Sequence, residues 1–220
     1  MNIWPPPSPP PFPPFHTPWE PEPRPATPRP TAPTQYVIAG RPDWLAERLF
    51  DQRIISLTGR VGPDDVNRAV TSLALLDASG DDPVQLWLCD VDADLDSVLT
   101  LLDALGSMRV PIHVRCLGTI TGIAIALLAP ADQRTGTPHA TFRLREPRTT
   151  SSGRPSDVTS EAERHRQQLR TLQRRIADAC HRPIEDVTAD MHAQRILSAP
   201  QALEYGLLDT ITSERMPERD

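Results

Sequence analysis

The chain has 220 residues, a formal net charge of −6 and 38% hydrophobic residues, enough for one ordinary domain and a tail. Its acidic balance argues against nucleic acid or an anionic membrane surface as a partner. All 23 basic residues are arginine, which excludes Schiff-base lysines, Ser-Lys dyads and P-loop lysines.

From Met1 to about Gln35 the sequence is dominated by proline, in runs such as Pro5–Pro7 and Pro9–Pro11. Proline fixes φ and removes an amide donor, so neither helix nor sheet is expected there. The segment reads as a disordered, polyproline-like extension. Trp4, Phe12, Phe15 and Trp19 interrupt it and suit a partner groove, but a plain solvated extension is the simpler reading. The expected boundaries are an extension over 1–35, a domain over 36–212 and a tail over 213–220. No basic region with an apolar run marks a signal peptide, and no stretch approaches the roughly 20 apolar residues of a membrane span. A cytoplasmic protein is expected.

After Tyr36 the texture changes. Asp43 to Phe50 reads as a short helix with Trp44, Leu45 and Leu49 on one face. Arg53 to Thr58 is rich in strand formers and ends at Gly59. Asp64 to Asp77 carries Val66, Val70, Leu73 and Leu76 at helical spacing. Val84 to Cys89 predicts a second strand, and Leu95, Val98, Leu102 and Leu105 mark the face of the next helix. Ile112 to Leu117 predicts a third strand, leading through Gly118 into the apolar run Ile120 to Leu128. This alternation implies an α/β domain of right-handed βαβ units on a largely parallel sheet. The unbroken apolar character of the strands predicts burial on both sheet faces.

From Val158 to Ala179 the pattern differs. Val158, Ala162, His165, Leu169, Leu172 and Ile176 recur at alternating steps of four and three, amid Arg, Glu and Gln. This predicts a long amphipathic helix with a narrow stripe suited to packing on another helix. His165 on that stripe is read as a packing histidine rather than a ligand. Cys89, Cys116 and Cys180 are too widely spaced for a disulfide framework or a C-x-x-C metal site. They read as small hydrophobes of a reducing compartment.

Several blocks in order resemble the Clp protease proteolytic subunits (ClpP). They are RLFDQRIISLTGRV, DDPVQLWL, CLGTITGIAIALLA and, most specifically, ILSAPQALEYGLLDTI. The resemblance covers roughly Asp43 to Ile211 and implies the ClpP/crotonase-like fold. It also implies a heptameric ring, paired with a second through protruding handle helices, here Val158 to Ala179. Implied partners are active ClpP paralogues, further copies of the chain and a Clp ATPase. Trp87 falls where the family has a tyrosine at the ATPase-docking pocket, although Gln85 is more polar than its family counterpart. No cofactor or metal is implied.

The family's catalytic positions fall on altered residues. The nucleophilic serine position is Gly122, and glycine can attack nothing. The histidine base falls on Arg145, whose guanidinium cannot accept the proton a base must take. The third member falls on Asp190, which without a histidine orients nothing; pairing with Arg145 is the expected role. The oxyanion turn is Asp90-Val91-Asp92-Ala93, with Asp92 on the family's first glycine, where a carboxylate repels developing negative charge. The second oxyanion donor falls on the Ile123 amide. The resemblance thus implies a degenerate member, a pseudo-protease with a structural or regulatory role in a ring.

Three alternatives stay open on the sequence. Thr119 or Thr121 could serve as a relocated nucleophile, with His113, His139 or His192 as base, giving an active serine/threonine-type endopeptidase subunit. Asp90, Asp92, Asp94 and Asp96 alternate like the start of a calcium loop, but Leu95 and Leu101 occupy its glycine and glutamate positions. Acidic residues favoured at a helix N-terminus are the plainer reading. Acyl-CoA binding rests on fold-level analogy alone.

Overall fold

A computed structural model describes residues 44–147 and 155–212. The Pro-rich segment and the 213–220 tail lie outside them. The elements run α1 (Trp44–Asp51), β1 (Ile54–Val61), α2 (Pro63–Ser79), β2 (Val84–Ala93), α3 (Leu95–Gly106) and β3 (Ile112–Leu117). There follow β4 (Thr119–Thr121), a 3-10 helix (Gly122–Leu128), β5 (Gln133–Gly136) and β6 (Thr141–Arg143). The chain closes with α4 (Pro155–Ala179), α5 (Ile184–His192), β7 (Ile196–Ser198), α6 (Ala199–Tyr205) and β8 (Thr210–Ile211). No described helix is long and apolar enough to cross a membrane.

The main sheet has the order β1-β2-β3-β5-β8, and every pairing in it is parallel. A smaller sheet, β4-β6-β7, stands beside it, with β4–β6 parallel and β6–β7 antiparallel. This is the mixed α/β architecture expected of the ClpP fold. The expectation of strands buried on both faces is corrected. Along β2 the even-numbered residues Val84, Leu86 and Leu88 are buried, while Gln85 is exposed and Trp87 and Cys89 are half-buried. β3 alternates in the same way. Helices and the 3-10 segment cover one face and leave the other open, so the period of two was present under a run of residues that are not all apolar.

The core joins the inner residues of β1–β3 to Leu73 and Leu76 of α2, Val98, Leu102 and Leu105 of α3, and the whole 3-10 helix. The Ile120–Leu128 run is apolar because every residue of that helix is buried. Burial pushes the Cys116 thiol up to about 12 and the Cys180 thiol up to about 11. Both fit the reading as small hydrophobes. The face expected for α1 is not buried: no α1 residue is fully covered, and Trp44 is 68% exposed.

α4 confirms the long helix and divides the predicted stripe. Leu172 and Ile176 are buried in the chain's own core, Leu169 packs at its edge, and Ala162 and His165 are half-buried. The side chain of Val158 lies outside the described residues. Leu172 and Ile176 are thus committed to the body of the domain, in one core with Val187 and Met191 of α5.

The end of the chain is tied back by Arg134. Its guanidinium bonds the Asp209 carboxylate and donates to the carbonyls of Gly206 (2.8 Å) and Ala179 (3.0 Å). Burial raises the Asp209 carboxyl, but the hydrogen bonds and charge of Arg134 more than offset this, leaving it below its ordinary 3.8. A carboxyl depressed in the fold contributes stability above its unfolded value, and that contribution is lost as pH falls through the folded value. Asp209→Asn is therefore expected to destabilise the domain at neutral pH. The gap to wild type should close as pH falls below about 4 in urea-unfolding series; a gap constant with pH would contradict it.

Candidate functional site

β2 and β4 deliver the residues of the site through a local irregularity. Thr58 of β1 pairs with Cys89, but Arg60 pairs with Asp92, so Gly59 faces two residues of β2. Such a bulge re-aims the residues beyond it. Asp90 takes the left-handed conformation (φ 53°), and its Oδ1 accepts a hydrogen bond from the Thr119 amide at 2.8 Å. That carboxylate lies against Gly118, which itself has φ 66°. A Cβ on Gly118 would come within 2.6 Å of Asp90 Cγ. Glycine is required there by both backbone and space.

Past the bulge, Asp92 lines a cavity of about 390 Å³ together with Arg60, Gly122, Ile123, Arg145 and His165. Gly122 opens the 3-10 helix with φ 65°. The parallel register pairs Thr121 with Arg143, which brings the chain after β6 alongside Gly122. A Cβ built there would sit 3.5 Å from Arg145 Cγ and from the Arg145 carbonyl. Gly122, Arg145, Asp92 and the amide-bearing Ile123 are therefore brought together.

Asp190 is not joined to them as expected. Arg145 Nη2 donates to Asp92 Oδ2 at 2.8 Å. Asp190 on α5 accepts instead from Arg195 Nη1 at 3.1 and 3.2 Å and from the Tyr205 hydroxyl at 2.9 Å. The expected Arg145–Asp190 pair is thus replaced by two separate ones, because the nearer acid on the β2 turn takes the guanidinium. Burial, then the hydrogen bond and charge of Asp190, push the Tyr205 hydroxyl well above its ordinary range, so it stays a donor. Arg182 also stacks over the Tyr205 ring at 4.1 Å. The Asp92 charge, expected to repel an oxyanion, is offset by Arg145.

The other expected chemistries are dispersed. Asp94 caps α3, accepting from the Ser97 amide at 2.8 Å and its hydroxyl at 3.0 Å. Such a cap contributes about 1 kcal/mol and bears out the helix-terminus reading. Asp90, Asp92 and Asp94 thus serve different partners, and among the described residues no cluster of His, Cys, Asp and Glu is arranged to hold a metal. His113 lies on the open sheet face beside Gln85, away from the cavity. His192 Nε2 lies 3.4 Å from Glu146 Oε1. The Thr119 amide is bonded to Asp90, and Thr121 pairs with Arg143 in the β4–β6 register.

Sequence reasoning missed the Asp92–Arg145 pair and the bracing of Gly118 by Asp90, since both depend on a bulge with no local sequence marker. It also missed Tyr205 as the partner of Asp190. A signal existed there, because Tyr205 lies in the uninterrupted C-terminal block.

Chemically, the cavity offers a guanidinium–carboxylate pair over a residue without a side chain. Arg145 Nε is buried with no hydrogen-bond partner among the described residues.

Residues 41–215 match the family model described as Clp protease. The chain is also 25% identical over 179 residues to a protein named ATP-dependent Clp protease proteolytic subunit, from Pleurastrum terricola. That alignment covers 79% of this chain and 91% of the other.

Proposed function

The chain belongs to the Clp protease family, and from that premise we propose that it is a subunit without peptidase activity, serving a Clp-type assembly as scaffold or regulator. The observation that carries this reading is the packing of Arg145 over Gly122, 3.5 Å from where a side chain would begin. The nucleophile position holds no reactive atom, and the base position holds a cation already bound to Asp92. Loss of a serine nucleophile alone costs a protease about a million-fold in turnover. Asp190, engaged with Arg195 and Tyr205, contributes to holding α5 and α6 together rather than to a relay.

The proposed assembly is a heptameric ring of this chain, alone or mixed with active paralogues. Ala162, His165 and Leu169 of α4 would supply its handle contacts, because Leu172 and Ile176 are already spent on the domain's own core. The proposed compartment is the cytoplasm. A Clp ATPase is a further proposed partner.

The test is labelling of the assembled particle by a fluorophosphonate probe, with native mass spectrometry of the complex from the source cell. Expected are no covalent adduct on this chain, whatever its ring partners carry, and a ring-sized mass. An adduct abolished by Thr121→Ala or Thr119→Ala would overturn the reading in favour of an active endopeptidase with a relocated nucleophile. Recovery as a lone monomer would overturn the assembly role.

A further inference from the structure

Gly122 is buried although it has no side chain, and Arg145 lies directly against it. The atoms nearest to a Cβ built on Gly122 are Cγ, the carbonyl oxygen and Nε of Arg145, at 3.5, 3.5 and 3.8 Å. From there the guanidinium extends from the chain after β6 to the far end of β2, where Nη2 donates to Asp92 Oδ2 at 2.8 Å. Both residues line the cavity, so the pair joins two of its walls. Asp92 is the outer end of this bridge, with its side chain 42% exposed against 26% for Arg145. Two opposing effects act on it. Arg145 Nε is buried with no hydrogen-bond partner, which is costly and favours a guanidinium turned out to water. The pair with Asp92 favours the inward position, but a partly exposed pair is weak and screened by salt.

We propose that Arg145 and Asp92 form a latch that closes the cavity over the Gly122 position, so that a ligand reaches that position only when the pair opens. The inference deepens the reading of this site as inactive and rests on it, since a guanidinium that performs no proton transfer is available as a cover. The closed arrangement is held by a weak pair and opposed by an unsatisfied donor, so the open and closed states lie close in free energy. Salt opens the latch by screening the pair. Access to the Gly122 position and chemistry at it are separate properties. Fluorophosphonate labelling reports the second, and the experiment below reports the first, so either reading can fail alone.

The test uses the full chain carrying Gly122→Cys and Cys89→Ser, with buried Cys116 and Cys180 kept as monitors of an intact fold. Alkylation of the introduced thiol is followed with iodoacetamide and with a polyethylene-glycol maleimide. The ratio of the bulky to the small reagent's rate cancels any effect of the guanidinium on thiol ionisation. Expected is a ratio about tenfold higher when Asp92→Ala is added, and at least as high with Arg145→Ala. Asp92→Glu, which keeps a carboxylate, should hold the ratio low. Added salt should raise it only while an acid stands at position 92. A ratio unchanged by Asp92→Ala, or already as high in the Gly122→Cys chain as with Arg145→Ala, overturns the proposal. Should Asp92→Ala also expose Cys116 or Cys180, the salt series on the Gly122→Cys chain decides, and a ratio flat with salt overturns it.

Discussion

Gly118→Ala is expected to lower the unfolding free energy by about 3–5 kcal/mol. Two independent costs coincide at this position. An L-residue held at the Gly118 φ of 66° carries backbone strain of about 1–2 kcal/mol. The new methyl also displaces the Asp90 carboxylate, whose Cγ would lie 2.6 Å away, and breaks its bond to the Thr119 amide. A hydrogen bond to a charged group contributes about 1.5–3 kcal/mol. Asp90→Gly in the same chain removes the clash and should recover part of the loss, making the pair clearly non-additive. Urea unfolding of the two singles and the double measures this; strict additivity would show that the methyl and the carboxylate do not meet.

Gly122→Ser is expected to leave peptide turnover within about tenfold of background, against the roughly million-fold a working nucleophile supplies. A serine fits in space, because its Cβ meets Arg145 Cγ at 3.5 Å, an ordinary contact. It pays about 1–2 kcal/mol for φ of 65°, so the variant should still fold. Its hydroxyl would face a guanidinium that donates hydrogen bonds and takes no proton. Asp190 cannot help while Arg195 and Tyr205 hold both of its oxygens. Fluorogenic peptide hydrolysis and fluorophosphonate labelling of this variant are the measurements. Strong activity from the single change would place a competent base in the cavity and remove the argument from Arg145.

Much of the architecture was legible because it follows from periodicity. β3 matches its expected bounds of Ile112 to Leu117, and α2, α3 and α4 follow their apolar spacing. The short strands β5, β6 and β7 were not legible, since three or four residues such as Thr141–Arg143 carry too little pattern. The open sheet face was misread because Trp87, Cys89 and Leu117 are apolar in type though turned outward. At the site, backbone register brings Arg145 beside Gly122. The side-chain pairings were not legible. Arg145 was expected to pair with Asp190, but beyond the bulge at Asp90 it meets Asp92.

The clasp of Arg134 on Asp209 and on the carbonyls of Ala179 and Gly206 carries a consequence for biosynthesis. β5 meets its last neighbour, β8, only when Thr210 and Ile211 have left the ribosome. Until then a nascent domain holds an arginine without its Gly206 and Asp209 anchors and a strand with a bare edge. Closure of the sheet thus waits for β8 to emerge, so chains arrested at residue 200 should be cut by protease far faster than chains arrested after β8 has cleared the exit tunnel.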